Sequence, residues 1–152
     1  MNTNKRCLLL AAFTLISMTS VVAQTTYDLG SILTQNQIHA LGAMKTFTVD
    51  NGVFRIISNS PGIGGNVIND QGRVGRCDAE IVISGIPTDQ AKKSLDPYQS
   101  SITSVKVYDS LKIVSVHFST VSDAAKARNE LSNLLTGATI TLPIIFALPK
   151  AR

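Results

Sequence analysis

Apolar alternations in the second half of the chain share a single parity, and this constrains the fold more than any other feature of the sequence. Read as strands, residues 79–86, 102–108, 113–118 and 139–148 place Ala79, Ile81 and Ile83 on one face. Val105 and Val107, then Val114, Val116 and Phe118, then Ile140, Leu142, Ile144 and Phe146 join them without a slip of register. After the first run, Pro87-Thr88-Asp89 opens a short helix through about Leu95, with Thr88 as N-cap, and Asp96-Pro97 stops it. Asp109-Ser110 is the turn between the second and third runs. Thr120-Val121-Ser122-Asp123 then has capping-box spacing, with Asp in place of the usual Glu. Val121, Ala124, Ala127, Leu131 and Leu134 make one apolar helix face, Lys126 and Glu130 lie one turn apart outside it, and Gly137 ends it. The order βαββαβ predicts an α/β (α+β) domain of ferredoxin-like, split-βαβ type: a four-stranded antiparallel sheet with both helices on one face. Pro143 suits a last strand at the sheet edge, where a missing N–H costs little.

The front section, residues 24–76, is rich in Gly, Asn and Gln. Leu29, Ile32, Leu33, Ile38 and Leu41 fit a helical stripe poorly, and Gly42 marks an end. Residues 46–49 and 53–57 flank Asp50-Asn51-Gly52, and the Asn-Gly pair, which reaches positive φ cheaply, predicts a β-hairpin. Residues 60–66, Ser-Pro-Gly-Ile-Gly-Gly-Asn, read as a loop. They do not make a phosphate cradle: the third glycine of a dinucleotide fingerprint is Val67, and no Lys-Ser/Thr pair follows. The organisation expected is a signal segment (1–23), a loop-rich section with a hairpin (24–76) and the ferredoxin-like domain (77–152).

The signal rests on Lys5 and Arg6, an apolar run from Leu8 to Ile16 broken only by Thr14, and the small-residue ending Val21-Val22-Ala23 before polar Gln24-Thr25-Thr26. The run is too short to span a bilayer, and Cys7 precedes it, whereas lipid attachment needs a Cys at the cleavage site. The expectation is a secreted or periplasmic protein, cleaved near Ala23/Gln24, with no membrane association afterwards. About 129 residues remain, the size of one compact domain. Lys5 and Arg6 leave with the signal, so 12 scattered basic residues face 10 acidic ones. That balance is no electrostatic footprint for nucleic acid or an anionic membrane.

Cys77 alone survives processing, so no intramolecular disulfide forms in an oxidising compartment. It is a buried small side chain, an intermolecular cross-link or a reactive thiol. Asn59-Ser60-Pro61 lacks the acceptor of a glycosylation sequon.

Ile81-Val82-Ile83-Ser84-Gly85-Ile86 resembles the first-strand motif of an RNA-recognition-motif domain. Residues 111–118 occupy its third-strand motif, and Ser122-Asp123-Ala124-Ala125-Lys126-Ala127-Arg128 is similar to its second helix. Within that superfamily, residues 112–118 with this helix most resemble calcipressin-type domains, which lack the RNA-stacking aromatics. The resemblance covers residues 79–149. It implies a βαββαβ fold, and an RNA-reading member would carry aromatics on the open sheet face. The matching positions here are Val82, Ile113 and Ser115, none of which stacks a base. That face also carries Glu80, Ser84, Ser104, Lys106, Tyr108 and His117, with Lys106 its one cation.

For catalysis the chain offers Cys77, His39, His117 and ten carboxylates. Cys77 and His117 lie on strands that this topology makes neighbours, but no third orienting residue is evident. There is no Gly-x-Ser-x-Gly elbow, no His-x-x-x-His or Cys-x-x-Cys metal spacing and no carboxylate pair in an obvious pocket. No cofactor and no metal are expected. The reading reached is an exported, non-catalytic domain that contacts an unidentified protein partner through its open face (Val82, Tyr108, Ile113, Ser115, His117, with Thr141 and Ile145), residues 24–76 or the partner covering that face. One alternative is a secreted protease inhibitor or pro-domain-like module using the tail 147–152, by fold analogy. Another is a Cys77-dependent enzyme or redox protein.

Overall fold

The computed structural model describes residues 27–60 and 64–147. The signal segment, Pro61 to Ile63 of the expected loop, and residues 148–152 of the tail lie outside the described residues.

The chain is a mixed α+β structure with two antiparallel sheets. Its elements are α1 (Gln35–Ala40), β1 (Thr46–Val49), β2 (Gly52–Ser60), β3 (Gly64–Ile68), β4 (Val74–Cys77), β5 (Glu80–Ser84), α2 (Thr88–Ser94), β6 (Ile102–Tyr108), β7 (Ile113–Phe118), α3 (Val121–Leu134), β8 (Thr139–Thr141) and β9 (Ile144–Ile145). One sheet runs β1-β2-β3-β4-β9 and the other β6-β7-β5-β8.

The hairpin forms where expected but turns one residue earlier than the Asn-Gly pair suggests. Val49 pairs with Gly52, so Asp50 and Asn51 are the central residues, at φ 46° and 66°. Both have short polar side chains that tolerate the left-handed region a two-residue hairpin turn demands. β3 and β4 lie in the section that reads as loop-rich, β3 beginning within the expected loop. Gly64, Gly65 and Asn66 are paired strand residues, and Gly64 sits at φ +100° against Cys77 and Asp78, where a Cβ would lie 2.2 Å from the Cys77 carbonyl oxygen. Composition read these glycines as a turn, whereas the packing needs them for a close strand approach. The short α1 also departs from the expectation. Thr34 and Gln37 form a reciprocal capping box and Ile38 is buried with Leu33, Ile68 and Val74.

In the second half the elements fall close to their predicted places. Ile81, Ile83, Val114, Val116, Phe118, Ile140 and Leu142 pack in one cluster with Ala91 and Leu95 of the α2 region and Val121, Ala124, Ala127 and Leu131 of α3. Thr120 caps α3, its hydroxyl accepting the Asp123 N–H at 3.1 Å. Pro87, not Thr88, holds the N-cap position of α2, and the Thr88 hydroxyl donates to Asp109 instead. Leu134 is exposed at 68% and Leu135 is buried in its place. With 3.6 residues per turn, the stripe through Val121, Ala124 and Leu131 continues onto position 135.

Three features correct the slip-free parity. Thr103 is an extra residue in β6, since Ile102 pairs with Phe118 and Ser104 with His117. Val105 and Val107 keep the helix-facing parity but remain 40% and 37% exposed, because the seven-residue α2 does not cover this edge strand. The final strand breaks at Leu142-Pro143. β8 pairs with β5, whereas β9 pairs with β4 of the other sheet, so Ile144, Ile145 and Phe146 leave the second-half sheet. Pro143 has no N–H to give either ladder and marks the crossing.

The other strand crosses beside it. β4 runs into β5 through Asp78 and Ala79, the latter at φ +55°. Residues 74–84 and 139–145 therefore form one bent two-stranded ribbon shared by both sheets. α3 packs on β1 of one sheet and on β5, β7 and β8 of the other. The first sheet thus lies on the helix side, with Phe47, Phe54 and Ile56 against the common core. Arg128, 15% exposed, clamps the joint by donating to the Ile140 carbonyl, Asn129 Oδ1 and Asp50 Oδ1, and Asn129 Nδ2 donates to the Thr48 carbonyl at 2.9 Å. Small side chains at 124, 125 and 127 suit α3 to this crowded site. Ala124→Leu is expected to lose about 1–3 kcal/mol of stability by overpacking, and Lys126→Leu on the exposed side less than about 0.5, in urea denaturation.

Candidate functional site: the open sheet face

The face of β6-β7-β5-β8 turned away from the helices gathers the residues singled out in the sequence. Strand register sets them in three rows. Ser104, His117 and Glu80 form the first, Lys106, Ser115, Val82 and Thr141 the second, and Tyr108, Ile113, Ser84 and Thr139 the third. Val82, Ile113 and His117 are half-buried, Ser115 is buried, and Tyr108 is exposed at the rim. Ile145 is not part of this face, since β9 lies in the other sheet. The apolar side chains of the front section pack against the common core or around α1, in clusters that contain none of the open-face residues.

Glu80 is the polar centre, although the sequence marked it only as one residue among the alternating positions of its strand. Ser115 Oγ donates to Glu80 Oε1, and His117 Nε2 lies 3.6 Å from the same oxygen. Thr103 Oγ1, on the bulge of β6, donates to the His117 carbonyl at 3.2 Å. In a nucleophile relay the imidazole stands between hydroxyl and carboxylate. Here the carboxylate stands between the other two, and the serine proton is committed to it. The cluster satisfies a buried hydroxyl and ties β7 to β5.

Cys77 is not brought to His117. It is fully buried in the core, whereas His117 belongs to the open face beside Glu80. Burial pushes its thiol from 9.0 up to about 11, the Ala79 N–H opposing and the Asp78 carboxylate adding. At neutral pH about one molecule in ten thousand is then thiolate, the form that reacts. His39 is exposed in the last turn of α1. Among the described residues no three His, Cys, Asp or Glu side chains gather as metal ligands, and no helix is long and apolar enough to cross a membrane. The polar cleft of about 410 Å³ between the β1–β2 turn and α3 is built around Arg128 and Asn129, which hold the joint described above.

No family model, no curated protein and no solved structure matches the chain.

Three measurements check this description. Glu80→Ala leaves the buried Ser115 hydroxyl without its acceptor and is expected to cost about 1–2 kcal/mol, against less than about 0.5 for Lys106→Ala, in urea denaturation. Cys77 is expected to resist a thiol reagent at pH 8 in the native state and to react fully in urea. Between its ordinary 9.0 and the native value of about 11, the unfolded chain holds fewer protons than the folded one. Stability should therefore fall as pH rises through that window, by up to about 2–3 kcal/mol, and Cys77→Ala should flatten the fall.

Proposed function

We propose that the chain is an exported, non-catalytic α/β domain that binds a protein partner through the open face of its β6-β7-β5-β8 sheet. The reading takes residues 79–141 as a ferredoxin-like βαββαβ unit of RNA-recognition-motif type. The strand order, with the first strand between the third and the fourth and the second at the edge, supports it.

The observation that carries the proposal is the composition of the open face. Tyr108 stands 47% exposed beside half-buried Ile113, next to Val82 and a self-satisfied Glu80–Ser115–His117 cluster. An aromatic at the rim of an apolar patch is the kind of anchor that dominates protein interfaces. Nucleic acid is not the partner proposed: Val82, Ile113 and Ser115 offer no stacking surface, and Lys106 is the face's one cation. Export rests on the first 23 residues, and partner binding in the exported fraction follows from it.

The test is affinity capture from the native exported fraction, with wild type beside Tyr108→Ala/Ile113→Asp. A protein retained by wild type and lost from the variant is the expected result. Capture of the same proteins by both would overturn the open-face assignment, provided circular dichroism shows the variant folded.

A further inference from the structure

Strand β6 stands apart from the face it borders. Among the described residues it is the edge of its sheet, pairing with β7 alone, and its residues from Thr103 to Tyr108 are all exposed. Its two faces differ sharply. On the helix side Val105 and Val107 lie uncovered, and beyond Val105 a groove of about 350 Å³ runs to α2, lined by Lys92, Lys93, Leu95, Asp96 and Gln99. Lys92 is paired with Asp89 at 2.7 Å. On the open-face side β6 shows Ser104, Lys106 and Tyr108, so its single charge is positive. The bulge at Thr103 and the turn beginning at Asp109 bound a regular edge of five residues, Ser104 to Tyr108.

An edge of this kind offers unpaired backbone groups to another strand, and the side chains decide which strand fits. A residue laid opposite β6 points to the same side as its partner, so an added strand must alternate with the same period. Apolar side chains belong beside Val105 and Val107, and a carboxylate belongs beside Lys106. A second copy of β6 fits poorly. Two-fold antiparallel pairing keeps like faces together only in a few registers, and the one that uses all five regular residues sets Lys106 against Lys106 of the other copy. The next registers, centred on Val105 or Val107, keep only three residues within the regular edge.

We propose that β6 is a strand-addition site for an extended segment of a partner protein that alternates apolar and acidic residues. Lys106 blocks self-pairing of the edge and selects the acidic side of that segment. The site uses the strand's edge, Val105 and Val107 on its helix side and Lys106 on its open-face side, and it does not use Ile113 or Val82; Val105→Asp, on the helix side, tests it apart from the open-face surface.

The probe is a fluorescein-labelled, end-capped octapeptide alternating valine and glutamate, beside its valine–lysine counterpart, titrated into the full-length protein. The valine–glutamate peptide should bind saturably, more weakly as salt rises, with backbone amide shifts concentrated at Ser104 to Tyr108. Lys106→Glu should weaken that binding about tenfold and transfer preference to the valine–lysine peptide. Val105→Asp should weaken the valine–glutamate peptide while leaving the circular dichroism spectrum unchanged. Absence of saturable binding, shifts centred elsewhere, or an affinity indifferent to Lys106→Glu would overturn the proposal. So would a concentration-dependent dimer abolished by Val105→Asp, since it would make the second copy the occupant.

Discussion

Two sheets close on one helix, and the rest of the molecule follows from that. A sheet with an apolar face must bury it, and here both sheets do so against α3 and the core around it. The cost of bringing two sheets to one helix is crowding. It is met by alanine at 124, 125 and 127 and by full burial of Val121 and Leu131. Chain connectivity then requires strands to pass from one sheet to the other, which they do side by side at Asp78-Ala79 and Leu142-Pro143. Cys77 owes its burial to standing at that crossing, and burial in turn suppresses its acidity. Gly64 owes its necessity to the same place, where β3 comes against the Cys77 and Asp78 backbone.

With the core gathered at α3, the periphery of the second sheet is left thinly covered. α2 is only seven residues long, and β6 beyond it keeps two valines in solvent. Among the described residues no helix packs on the opposite face. Its polar groups are managed internally: Glu80 accepts from Ser115 and stands beside His117, so a buried hydroxyl is satisfied without outside help. What remains outward is a short apolar and aromatic patch around Tyr108 and an edge whose one charge is Lys106. Both proposed contact surfaces lie where the shared core does not reach.

The local devices of the second half were legible because their signals are strong and short-range. The β6–β7 connection, the Thr120 cap and the Gly137 stop, at φ +84°, depend on neighbours a few residues apart. The front section misled for an equally physical reason. Gly64, Gly65 and Gly75 look like loop residues by composition, yet they are strand residues chosen for lack of a side chain. A Cβ at Gly75 would meet the Phe146 ring at 2.9 Å, and Phe146 lies 71 residues further along. No local pattern records a contact at that separation. Glu80 was visible as a member of the open face, but its role at the centre of Ser115 and His117 depends on the β5–β7 register.

Residue order alone determined most of the strands and helices of the second half, the face that most of their side chains take, and that the open face carries one tyrosine, Tyr108, while Val82, Ile113 and Ser115 are not aromatic. These properties follow from period, capping and turn chemistry, which act over a few residues. Tertiary structure decided that the last strand divides at Pro143 between two sheets, that the front residues form a sheet on the helix side, and that Cys77 is a core residue. It also decided that Val105 and Val107, apolar and correctly phased, stay in solvent. Alternation assigns a side chain to a face, but only the packing of distant elements determines whether anything covers that face.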